Sequence, residues 1–143
     1  MKDLATRLGT GLPEDLAAWL RICKGAPIGP GGLFGARPDR DFLDMALRAA
    51  TFSTWRQLGW LPVAGDGFGN YYILLTQEAL AGYVAFVEAI SDPEEIAYLV
   101  SSTLWGFLRF LFEAECGAKG WPFDPNVVLA ADPALAHLQP WIR

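Results

Sequence analysis

The sequence holds a single histidine, His137, and this scarcity removes most of the common hydrolytic machinery. A serine, threonine or cysteine nucleophile needs a base within hydrogen-bond reach, and histidine is the usual one. His137 lies in the C-terminal tail near no obvious partner, which argues against a histidine-dependent triad. Cysteine is nearly as rare. Cys23 and Cys116 stand far apart at apolar helical positions, without the paired spacing of a zinc site, and are expected to be reduced thiols in the core. Basic clusters are missing too: 11 Lys and Arg face 16 Asp and Glu, for a formal charge of -5. Phosphate binding needs clustered cations, so nucleic acid is excluded as the main partner. The most apolar run, Ile96 to Phe112, is broken by Ser101, Ser102 and Arg109 and falls short of the roughly 20 apolar residues of a membrane span. It reads as a buried helix, and no membrane association is expected. The start, Met1-Lys2-Asp3-Leu4, shows no apolar signal-peptide core, so a cytoplasmic location is expected.

What the chain does have is apolar mass. Its 143 residues are 52% hydrophobic, with six Trp, nine Phe and four Tyr. Mean hydropathy is +0.24. One domain over residues 1–143 is expected, burying roughly two thirds of its unfolded surface. Apolar area left outside that core would mark a partner surface or self-association, for instance as a homodimer. The acidic balance serves solubility and can also steer a basic protein into place.

Along the chain, Pro13-Glu14-Asp15 opens a helix whose stripe Leu16, Trp19, Leu20, Cys23 ends before Gly25. Residues 26–35 form a bent loop with four glycines and two prolines, followed by a short extended segment at Leu33 to Ala36. A second helix, capped by Asp39 or Asp41, carries Phe42, Met45, Ala46, Ala49 and Phe52 towards Trp55 and Leu58. Three strands then make an antiparallel meander: Trp60 to Ala64, with Pro62 confining it to an edge or a strand start, Tyr71 to Thr76, and Gly82 to Glu88. From Glu94 to Glu115 the spacing predicts one long core helix; alternatively Ser101 or Ser102 caps a shorter one and leaves Tyr98 to Val100 extended. Residues 117–143 read as an irregular strap packed by Trp121, Phe123 and Trp141.

Chemistry is hard to find in these residues. The carboxylate pairs Glu14-Asp15 and Glu94-Glu95 sit near helix starts, where acids are ordinary. The loop Gly29 to Gly35 lacks the Lys-Ser/Thr ending of a P-loop and the dinucleotide spacing. Asp66 and Asn70 lack the other acidic positions of a calcium loop and fit a hairpin turn better. No catalytic residue, metal or cofactor is assigned.

The order of these features resembles the SUKH superfamily, which includes bacterial immunity proteins and fungal regulators of cell-wall synthesis. The residues that carry the resemblance are Leu12 to Leu16 with Trp19, Leu20 and Gly25, then Gly32 to Gly35, then Leu61 to Tyr72, then Tyr83 to Val87 and Ser101 to Leu104 with Phe107 and Leu108. The likeness spans about Leu8 to Phe112. The segment Phe42 to Trp60 is richer in helix than the family pattern, and the tail after Gly117 has no family motif. The resemblance implies an α+β fold, a central antiparallel sheet flanked by helices, with no catalytic centre of its own. It also implies a protein partner: a cognate toxin, often a nuclease or deaminase, neutralised by tight binding, or alternatively a partner in cellular regulation or assembly.

Candidate contact residues cluster around the second turn. Asp66, Phe68 and Asn70 are loop contacts, Glu78 and Glu88 acidic-surface contacts, and Gly65, Gly67 and Gly69 turn requirements. Tyr71 and Tyr72 are adjacent in a strand and point to opposite faces, so one is expected in the core and the other exposed to a partner. Trp55 and Trp60 are expected in the core.

Overall fold

The structure, a computed structural model, describes residues 2–136. His137, Pro140 and Trp141 lie outside the described residues. Four strands, β1 (Trp60–Gly65), β2 (Tyr71–Leu75), β3 (Val84–Val87) and β4 (Tyr98–Ser101), pair antiparallel in the order β1-β2-β3-β4. Each begins or ends at a turn former, and each is made of aromatic, β-branched and aliphatic residues. Trp60 faces Leu75 and Gly65 faces Tyr71, with a register shift between Pro62 and Ala64. Pro62 is tolerated because β1 is the edge strand. The loop before it covers that edge: the Phe34 amide donates to the Val63 carbonyl at 2.9 Å, and the Gly65 amide donates to Gly32 at 3.2 Å. The extended segment expected at Leu33 to Ala36 is thus a partial fifth strand that shields an otherwise open ladder.

Both faces of the sheet are covered. On one side α3 (Met45–Thr51) and α4 (Thr54–Leu58) pack on β1, and α1 (Lys2–Leu8) packs on α3. There Trp55 meets Phe52 at 4.6 Å and Tyr71 at 5.3 Å between ring centroids. On the other side α5 (Leu104–Glu115) packs on β4 and is itself backed by α2 (Glu14–Ile22). Here Tyr72 lies 5.2 Å from both Phe86 and Phe107 and stacks on Trp121 at 6.4 Å. This two-sided cover overturns one expectation: Tyr71 and Tyr72 do point to opposite faces, yet both are buried. Every residue of β1, β2 and β3 is buried, as in strands sandwiched between two helical layers. The fold is α+β. Trp55 and Trp60 are in the core, as expected.

Other elements differ from the sequence reading for identifiable reasons. The helix expected from Asp39 or Asp41 to Leu58 is three pieces, a 3-10 turn at Asp41–Leu43, then α3, then α4. Asp44 interrupts the first junction. Its buried carboxylate takes a bidentate contact from Arg7 of α1 and accepts the Arg37 amide at 3.2 Å, which holds Asp44 extended. The long helix from Glu94 is instead β4 followed by α5, close to the alternative reading, but Thr103 is the cap, its Oγ1 accepting the Gly106 amide at 2.9 Å. Ser101 and Ser102 serve another purpose. Asp132 accepts the Ser102 amide at 2.6 Å and the Ser102 hydroxyl at 3.0 Å, fastening the tail to the turn between β4 and α5. That tail is not an irregular strap throughout: Asp124 caps α6 (Pro125–Ala131), with Pro125 in its first turn. The thiols are not core groups either, since Cys23 is half-buried and Cys116 exposed.

Candidate functional site

The turn joining β1 to β2 is built around one carboxylate. Asp66 Oδ1 accepts the amides of Phe68 at 2.7 Å and Asn70 at 3.0 Å, while Oδ2 accepts the Asn70 side-chain amide at 2.9 Å. Gly67 and Gly69 take φ values of 84° and 88°, which a side chain would resist. Gly65 meets a different constraint, since a Cβ there would lie 3.2 Å from both the Gly31 carbonyl oxygen and the Phe34 ring. The loop of residues 29–32 lies directly against the turn, so close that a Cβ on Gly31 would sit 2.3 Å from the Gly65 carbonyl carbon. The glycine-rich loop is therefore the packing partner of the hairpin tip, a role its sequence did not reveal.

This internal bonding leaves Phe68 projecting. It is 78% exposed, a large cost in hydrated apolar area for a residue held in a fixed turn. Two more exposed apolar side chains accompany it. Ile90 is 76% exposed and stands beside Gly69, its Cδ1 3.2 Å from where a Cβ there would lie. Phe123 is 68% exposed and meets Phe86 edge-on at 6.1 Å. A cleft of about 230 Å³ runs between Phe68 and Phe123, with Pro30, Tyr72, Leu111 and Trp121 among its lining residues. The floor is rigid. Trp121 Nε1 donates to the Val100 carbonyl at 3.2 Å, and burial, reinforced by the Asp66 charge, pushes the Tyr72 phenol well above its ordinary value, so it stays protonated. The cleft offers apolar contact and hydrogen-bonding groups, with Asp66 and Glu115 as the carboxylates among its lining residues.

Of the residues singled out from sequence, the structure gathers Asp66, Phe68, Asn70 and Tyr72 at this tip. Asp66 is buried and engaged within the turn, so its part is to shape the loop. Asn70 is half-buried and bonded to it. Glu88 follows Val87, the register partner of Tyr71, and stands at the same end of the sheet, half-buried. Tyr71 belongs to the opposite face, and Glu78 lies beyond the far end of β2. Pro30, Ile90, Trp121 and Phe123 were missed. Their signal was a lone apolar residue among turn formers, as in Ser91-Asp92-Pro93 after Ile90 and Pro122-Phe123-Asp124-Pro125.

With this geometry in hand, a sequence model of the SMI1 / KNR4 family (SUKH-1) matches residues 1–109. The chain belongs to the SMI1 / KNR4 family. Neither a curated protein nor a solved structure matches it. Membership supports a toxin-immunity or related regulatory role exercised through protein partners. The match includes Phe68 and Ile90 but stops before Trp121 and Phe123, so this SUKH-1 chain completes its cleft with residues from outside the family segment. Among the described residues, no group of three or more His, Cys, Asp or Glu could hold a metal ion, and no helix is long and apolar enough to cross a membrane.

Proposed function

We propose that the protein is an immunity protein that binds a cognate bacterial toxin, a nuclease or deaminase, and neutralises it by steric and electrostatic blocking within the cytoplasm of the producing cell. The observation that carries this reading is the hairpin tip: an exposed aromatic on a turn locked by its own carboxylate, beside two further exposed apolar side chains. A preorganised apolar anchor binds with little ordering cost, and aromatic anchors supply most of the energy at protein interfaces. Phe68 is the anchor, with Asp66 and Asn70 setting its position and Gly65, Gly67 and Gly69 permitting the turn. The net charge of -5 favours encounter with a basic toxin surface.

Co-expression with any toxin domain found encoded beside this chain tests the reading. Rescue of growth and co-purification of a stoichiometric complex are expected, and Phe68→Ala should weaken the complex by about tenfold or more. Unrelieved killing without a complex would sink it, and capture of housekeeping proteins instead would favour the regulatory role.

A further inference from the structure

A second open region lies on the other face of the sheet. Leu75 alternates with Tyr71 and Ile73 onto the side covered by α3 and α4, and Trp60, its cross-strand partner, shares that face. The segment after Pro93 crosses the same side, held there by the Trp55 indole, which donates to the Pro93 carbonyl at 2.7 Å. Between these elements runs a groove of about 660 Å³, within the range of ligand-sized clefts. Its body is apolar, with Trp60, Leu75 and Ile96. Three carboxylates, Glu78, Glu94 and Glu95, line it as well. No lysine, arginine or histidine is among its lining residues, and none of the three glutamates forms an ion pair among the described residues.

We propose that this groove docks a basic, apolar segment of a protein partner, one in which lysine or arginine alternates with aliphatic residues. An occupant must match two properties at once. Lysine and arginine do so within one side chain, laying an alkyl stem on apolar surface while the charged head reaches carboxylates. Unpaired acids around an apolar trough repel a nucleic acid or an acidic ligand. They equally disfavour a second copy of this chain, which brings a net charge of -5. The inference stands apart from toxin neutralisation, because it concerns a different face and names a chemistry rather than an activity.

The test is a titration of the full chain, methyl- and indole-labelled for NMR, with a short peptide of alternating lysine and leucine. Saturable shifts are expected at Ile96, Leu75 and the Trp60 indole. Binding should weaken at least tenfold in the triple variant E78Q/E94Q/E95Q and also weaken as salt rises from about 0.05 to about 0.3 M, where the screening length falls below about 10 Å. The three positions are exposed, so the variant keeps the fold, which circular dichroism verifies. Absence of saturable binding, equal binding of a glutamate–leucine peptide, shifts at Ile90 beside the hairpin tip instead of Ile96, an unaffected triple variant, or shifts that track dimer formation in sedimentation would each overturn the proposal. A failed toxin rescue leaves this titration untouched, and a failed titration leaves the rescue untouched.

Discussion

The two open regions of this domain sit on opposite faces of one sheet and spend their carboxylates in opposite ways. At the hairpin tip the acid is consumed inside: Asp66 is buried, takes three hydrogen bonds from its own turn, and leaves a phenylalanine to face the solvent. In the groove on the other face the acids are the exposed groups and the aromatic, Trp60, is buried beneath them. A carboxylate near a surface is thus no guide to electrostatic function until its partners are known. The tip is an apolar site organised by charge, and the groove a charged site organised by apolar walls.

Five variants break or sharpen this contrast. The largest effect is expected at Gly31, where an alanine Cβ would overlap the backbone of Gly65 and Gly67. Backbone cannot give way as a side-chain end can, so Gly31→Ala should cost about 3 kcal/mol or more in urea denaturation and lower Tm by several degrees. Stability unchanged from wild type would mean that the loop and turn are not in the contact described. Next comes Asp66→Ala, which leaves two amides of the turn without their acceptor and should cost about 2 kcal/mol while also weakening toxin binding. If the tip tolerates it, the turn is held by its glycines alone.

Tyr72 provides a pH test confined to the tip. Its phenol is raised above the usual 10.0, chiefly by burial and then by the Asp66 charge. The unfolded chain therefore loses this proton first, so the stability contribution is whole below pH 10 and falls as pH rises beyond it. Tyr72→Phe should flatten that alkaline decline in thermal melts between about pH 9 and pH 11, whereas the groove glutamates should leave it unchanged. The smallest effects on stability are expected for Phe68→Ala and for E78Q/E94Q/E95Q, each within about 0.5 kcal/mol of wild type, since exposed groups without structural partners contribute little. A marked loss in either would turn the corresponding surface from a docking site into a structural one.

Much of this fold was legible. The alternation of glycine with Asp66, Phe68 and Asn70 from Gly65 to Asn70, flanked by aromatic and aliphatic runs, specifies a hairpin, and the strands fall within two residues of the reading. The stripe Leu16, Trp19, Leu20 likewise specified α2, although its cysteine lies half outside the core. What escaped were features decided by distant contacts. Asp44 ends one helical segment because Arg7, on another element, claims its carboxylate. Ser101 and Ser102 read as caps because nothing local shows that Asp132, thirty residues later, will occupy Ser102. Tyr71 and Tyr72 could not both be placed inside until two helical layers were known to cover the sheet. The candidate site divides similarly: Phe68 and its turn follow from local chemistry, while Ile90, Trp121 and Phe123 are joined to it only by the fold.

The clasp between Asp132 and Ser102 carries a further meaning. The recognisable family segment ends at residue 109, yet the indole that floors the tip cleft and the carboxylate that closes over the turn before α5 both come later. The stretch that heredity marks and the stretch that physics folds are different lengths here. A chain cut at the family boundary would lose the final turns of α5 and bare Tyr72 and Phe107 to water, so the segment that looks like an appendix in sequence is the lid of the domain.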